Sequence, residues 1–182
     1  MAHVLRILLM LMVGGIILTV CVAFGWVQVG NFGHIQLAIP AFMYVVFIQA
    51  FVMFYFIGVS RLVENVWNAL HSEANLNELF DEPPQDLEPY KNKVRRYVHE
   101  SQLSKRQTIP WTMLMLVLGT IGFLLGGAHD TGMVAKTVHS GVAYGFLAAM
   151  LIGFVRQWHY LGKSHILLGE LKALFGISRD AM

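Results

Sequence analysis

The sequence predicts an all-α integral membrane protein. The architecture expected is a four-helix transmembrane bundle, N-in/C-in, with a cytoplasmic helical hairpin between the second and third spans and a C-terminal cytoplasmic helix extending the fourth. Three observations predict it. The chain is 56% hydrophobic and 13% charged, against about 25% charged in an average soluble domain. Asp, Glu, Lys and Arg are absent from Ile7 to Ser60 and again from Ile109–Ala128 and Thr137–Val155. Twelve of the thirteen Lys and Arg residues fall on one side of those apolar runs.

The first apolar stretch, Ile7 to Val27, is too long for a signal-peptide core, which holds about 7–15 apolar residues. It is read as a retained first span over about residues 6–28. A crossing helix needs about 20 apolar residues, so the charge-free stretch holds two spans. The external turn between them is VGNFGHIQ, residues 29–36, with its surroundings out to residue 38. Pro40 is placed in the first turn of the second span, about residues 39–60, where its missing N–H costs nothing. Residues 1–60 thus form a first hairpin.

Residues 61–108 carry most of the charges and read as a cytoplasmic helical segment. Leu62, Val63, Val66, Trp67 and Leu70, and later Leu79 and Phe80, recur at helical spacing, so the second span is expected to continue beyond the lipid. DEPPQDLEP, residues 81–89, breaks that helix. Leu87, Tyr90, Val94, Tyr97 and Val98 mark a second amphipathic helix leading to Pro110, which is expected to open the third span, Ile109–Ala128. A turn, HDTGMVAK at residues 129–136, precedes the fourth span, Thr137–Val155, which completes a second hairpin over 109–155. In residues 156–182, Leu161, Ser164, Leu168, Leu171 and Phe175 form a stripe on a tail helix. Every crossing should be a helix, because an open strand cannot satisfy its backbone in lipid and a barrel shows short alternating segments instead.

Basic residues are held on the cytoplasmic side of a membrane. Arg6, the seven from Arg61 to Arg106 and the four from Arg156 to Arg179 lie on one side, and only Lys136 on the other. Both termini are therefore expected inside, in a bacterial inner membrane. Trp26 and Trp111 stand near span ends, where interfacial aromatics belong. A single cysteine, Cys21, excludes an internal disulfide framework or a cysteine metal motif and reads as a small packing residue. A net charge of +2 gives no footprint for nucleic acid.

Four features carry candidate function. Gly141, Gly145, Ala149 and Gly153 recur every four residues, and Gly122 and Gly126 form a second G-x-x-x-G. Small residues let membrane helices approach closely, within the bundle or against another subunit. His34, His129, Asp130 and His139 cluster at the external turns. Three imidazoles and a carboxylate suit one zinc or copper ion. His139 with His34 or His129 suits one haem. A two-haem arrangement is excluded, since spans one to three have no internal histidine and His139 and His159 are separated by roughly 30 Å of helix. His71, His99, His159 and His165 read as solvated. In the second span, Phe42, Tyr44, Phe47, Phe51, Phe54, Tyr55 and Phe56 read as lipid-facing or core rings, with a quinone or pigment pocket as the alternative, and Gln49 as a buried amide wanting a partner among Thr19, Thr120 and Tyr144.

No charge lies inside any span, which argues against an autonomous pump or ion-coupled transporter. No phosphate loop, nucleophile elbow or zinc-protease motif occurs. The layout of four spans with a helical insert, and the fragment Leu118-Gly119-Thr120-Ile121-Gly122, resemble the flagellar-stator and TolQ-type proton-channel proteins. The resemblance implies an ion-conducting ring subunit. The insert is shorter than a stator protein's, and the fourth span lacks that family's threonine and Ala-Ile-Pro signature. The sequence therefore points first to a non-catalytic membrane subunit that assembles with other membrane proteins or with itself, carrying no cofactor. The alternatives are a haem b-, metal- or quinone-associated electron-transfer subunit and the ring subunit.

Overall fold

The computed structural model describes residues 1–72, 76–80 and 84–176. In chain order they form α1 (Ala2–Ala23), α2 (His34–Ala69), α3 (Leu76–Leu79), α4 (Glu88–Asp130) and α5 (Lys136–Leu174). Among the described residues there is no strand, only an isolated bridge between Val29 and Phe32 in the first connection. The helices α1, α2, α4 and α5 are long and apolar enough to cross a membrane. Fewer than a third of the residues in each apolar window are buried, and Ile7, Phe47, Phe54, Leu124 and Val155 are among the large side chains left exposed. Such exposure is costly in water, at about 25 cal/mol per Å², and costs nothing against lipid tails. The aromatics of α2 divide accordingly: Phe47, Phe51 and Phe54 face outward, and Phe56 is buried.

Local chemistry moves the helix ends from the expected positions. α1 stops at Ala23 because Gly25 takes φ +72°. The Trp26 N–H then donates to the Cys21 carbonyl at 2.9 Å and the Gly25 N–H to the Val22 carbonyl at 3.0 Å, which is the Schellman pattern. Gly132 (φ +75°) closes α4 in the same way, through Met133 to Ala128 and Gly132 to His129. α2 starts at His34 because the Gln36 side chain accepts a hydrogen bond from the Gly33 N–H. The first turn therefore yields residues 34–36 to helix, and the second narrows to 131–135.

Neither Pro40 nor Pro110 opens a helix. Both lie inside continuous ones. An interior proline removes one backbone bond, but a full break would leave several groups unbonded in an apolar setting, so the helix runs on. Pro89 instead occupies the first turn of α4. Asp81–Pro83, part of the expected break, lie outside the described residues, as do residues 177–182 with Arg179.

The helices pack as α1 on α2 and α5, and α4 on α2 and α5. The main core joins Leu9 and Met12 of α1, Val45, Ile48, Val52 and Phe56 of α2, Met115 of α4, and Ala149, Met150 and Leu161 of α5. A second core joins Val59, Val63 and Leu70 of α2, Val94 and Tyr97 of α4, and Leu167 and Leu171 of α5. The Phe80, Tyr90 and Phe175 rings meet beside it at 5.0–6.1 Å. Burial, then a hydrogen bond with Glu170, pushes the Tyr97 phenol above its ordinary pKa of 10.0. The Arg96–Glu170 and Arg96–Glu100 pairs nearby, at 3.6 and 3.5 Å, are exposed and contribute little.

Two contacts set the register between α2 and α4. Phe42 stacks on Phe123 at 4.8 Å, and Gln102 donates to Glu64 at 3.2 Å. Ile109, where α4 becomes free of charge, therefore lies opposite the Tyr55–Ile57 turn of α2. Val59 belongs to the second core, and Ser60 is buried.

Candidate functional site

A cavity of about 400 Å³ lies among α1, α2, α4 and α5 at the end of the bundle that carries the two short connections. Its floor is the small-residue face of α4: Gly119, Gly122, Gly126 and Gly127. The missing side chains make room for rings. A Cβ at Gly119 would stand 3.2 Å from Phe146 and 3.3 Å from Phe42. A Cβ at Gly126 would stand 3.2 Å from His139. The Phe42–Phe123 stack, with planes 11° apart, closes one wall.

The lining is apolar except for a few groups. The Thr19 hydroxyl, on α1, already donates to the Gly15 carbonyl at 2.9 Å. Asp130 sits at the last residue of α4 and is exposed. His34, at the first residue of α2, and His139, in the first turn of α5, each keep a solvent-shielded Nδ1 without a hydrogen-bond partner. His129 is different: its Nδ1 meets the Val134 carbonyl at 3.2 Å, and its ring stacks 6.1 Å from that of His139. The structure therefore brings His34, His139 and Asp130 to one cavity and places His129 behind His139. Among the described residues, no group of three or more His, Cys, Asp or Glu is placed to hold a metal ion, so the expected four-residue metal set does not converge.

The expected ridge of small residues has two destinations. Gly153 is buried against α4: a Cβ there would stand 2.7 Å from Met115 Cε and 3.6 Å from Trp111 Cβ. Ala149 is buried too. Gly122 faces Val142 at 3.7 Å. Gly141 and Gly145 are exposed, with nothing within 4 Å of a Cβ built on either. A step of four residues advances a helix by about 400°, a net drift of about 40°, so a ridge of this length turns from the outer surface into the bundle.

Gln49 finds a partner the sequence did not suggest. Gln157 Nε2 donates to Gln49 Oε1 at 2.7 Å and to Thr112 Oγ1 at 2.8 Å. Gln49 Nε2 approaches Met12 Sδ at 3.3 Å. Thr120 is bonded to its own helix at Leu116, and Tyr144 is exposed. Two arginines mark the same region. Arg6 donates to the Trp158 carbonyl at 2.8 and 3.2 Å and lies over the Trp158 ring. Glycine at 162 permits this, because a side chain there would collide with the guanidinium. Arg156 bonds Gln107 and lies over Trp111. The histidines at the other end are engaged or exposed: His71 bonds the Trp67 carbonyl at 2.9 Å, His3 and His165 meet ring to ring at 4.7 Å, and His99 and His159 are exposed.

No protein-family model, curated protein or solved structure matches the chain. The chemistry of the residues themselves carries the functional reading.

Proposed function

We propose that the chain is a non-catalytic, multi-pass subunit of a bacterial inner membrane that associates with another membrane protein or with its own copies. Both termini and the second core lie on the cytoplasmic side in this reading, supported by the basic residues gathered there. The observation that carries the assembly role is the pair Gly141 and Gly145. Other small residues of the two ridges are used within the chain, while these two present bare backbone with open space in front of it. In lipid, apolar side chains gain nothing by leaving the solvent, so close backbone approach is what makes helices associate. A Gly-x-x-x-Gly face that the fold leaves open is suited to that contact.

Gly145→Ile tests it. The added side chain meets nothing inside the chain, so thermal stability in detergent should stay unchanged. The complex or oligomer on native gels and by cross-linking should be lost. Wild-type assembly in Gly145→Ile and in Gly141→Ile would reject the role.

A further inference from the structure

We propose that the cavity beneath the two connections binds a quinone-class molecule: a flat, lipophilic ring carrying two carbonyl groups. The inference is independent of the assembly face on α5. Three properties of the site select this chemistry. Size comes first, since about 400 Å³ lies in the range of small-ligand pockets, about 300–1,000 Å³. Shape is the second. The rings of Phe42, Phe123 and Phe146 line the cavity, with Phe42 and Phe146 packed over Gly119 of α4, and a lining of ring faces favours a planar guest through offset stacking.

Polarity is the third. His34 from α2 and His139 from α5 both line the cavity and both hold a shielded Nδ1 with no partner in the fold. A buried polar atom left unbonded costs about 1–3 kcal/mol; each Nδ1 is sealed from the cavity as the rings stand, so a guest gains these bonds when the rings turn toward it. A neutral imidazole nitrogen donates or accepts according to its tautomer. It can therefore donate to a quinone carbonyl or accept from a quinol hydroxyl. A hydrocarbon tail would fill the space and leave both nitrogens unbonded. The cavity also opens among helices whose outer faces are apolar, so a guest dissolved in the bilayer can enter without crossing water.

The test uses the full-length protein in nanodiscs and decylubiquinone as probe, with decylbenzene as the ring-and-tail control lacking carbonyls. Wild type should bind decylubiquinone saturably, one per chain, and decylbenzene more weakly by roughly ten-fold or more. His34→Leu and His139→Leu should each weaken decylubiquinone by roughly five- to ten-fold. His139→Asn, which keeps a polar group near the Nδ1 position, should restore most of that loss, separating a hydrogen bond from a packing role. Thermal unfolding of each variant reports whether the fold survives. If the leucine variants do not fold, the wild-type comparison of the two probes decides alone. Non-saturable uptake, equal affinity for the two probes, or unchanged binding in the folded His34→Leu/His139→Leu double variant would overturn the proposal. So would a Soret band in the protein as purified, which would give the cavity to haem.

Discussion

Gly153→Ile is expected to destabilise the folded protein by about 1–3 kcal/mol, the usual range for overpacking a filled core. The position is where α5 crosses α4. A single added carbon would stand 2.7 Å from Met115 Cε and 3.1 Å from its sulfur. A methionine tip is compliant, so Gly153→Ala can be absorbed by rotation of the thioether. Isoleucine cannot, because Met115 is fully buried and Trp111 Cβ lies just behind. Unfolding in mixed micelles should show a clear loss for Gly153→Ile, a small effect for Gly153→Ala, and partial recovery in Gly153→Ile/Met115→Ala. Wild-type stability for Gly153→Ile would mean that α4 and α5 do not cross there. The contrast with Gly145→Ile is informative. The two glycines belong to one four-residue ridge, yet one substitution is expected to break the fold and the other only the assembly.

Gln157→Leu is expected to cost about 1–3 kcal/mol, because it leaves two buried acceptors, Gln49 Oε1 and Thr112 Oγ1, without their donor. All three residues are fully buried, so water cannot replace the lost bonds. Removing both amides should cost less than the sum of the single changes. Gln49→Leu/Gln157→Leu replaces a matched pair by apolar side chains of similar length, and neighbours in one network couple by about 0.5–3 kcal/mol. A double-mutant cycle measured by unfolding in micelles reads this directly. Strict additivity, or a neutral Gln157→Leu, would show that the amides do not meet.

The helices were legible in the sequence because charge-free runs of this length have only one stable form in an apolar solvent. Their ends were less so. Gly25 stops α1 before Trp26, although the apolar run continues to Val27. The partner of Gln49 was hidden because Gln157 follows Arg156, which looks like the end of a span. Arg156 reaches Gln107 and the Trp111 ring, so its charge can stand beside a buried amide. Long basic side chains carry their heads away from their backbone in this way. The cavity depends on how two helical hairpins meet, which no local pattern encodes. Gly119 was the available signal: with Gly122 and Gly126 it gives α4 a glycine face at three- and four-residue spacing, the mark of a close approach. His34 and His139 are legible in the sequence, with His129 and Asp130, as polar groups near the external turns. What the sequence lacked was the unbonded state of both Nδ1 atoms.

The central claim is that the four apolar helices cross a bilayer with the second core on the cytoplasmic side. Cysteine accessibility in intact cells tests it most directly. In a Cys21→Ala background, single variants Asn31→Cys, Thr131→Cys and Lys93→Cys place one thiol in each connection and one on the charged part of α4. An impermeant maleimide should label positions 31 and 131 in intact cells and reach position 93 only after the membrane is opened. Labelling of position 93 in intact cells, with 31 and 131 protected, would contradict the orientation, and recovery of the chain in the soluble fraction would contradict the membrane itself.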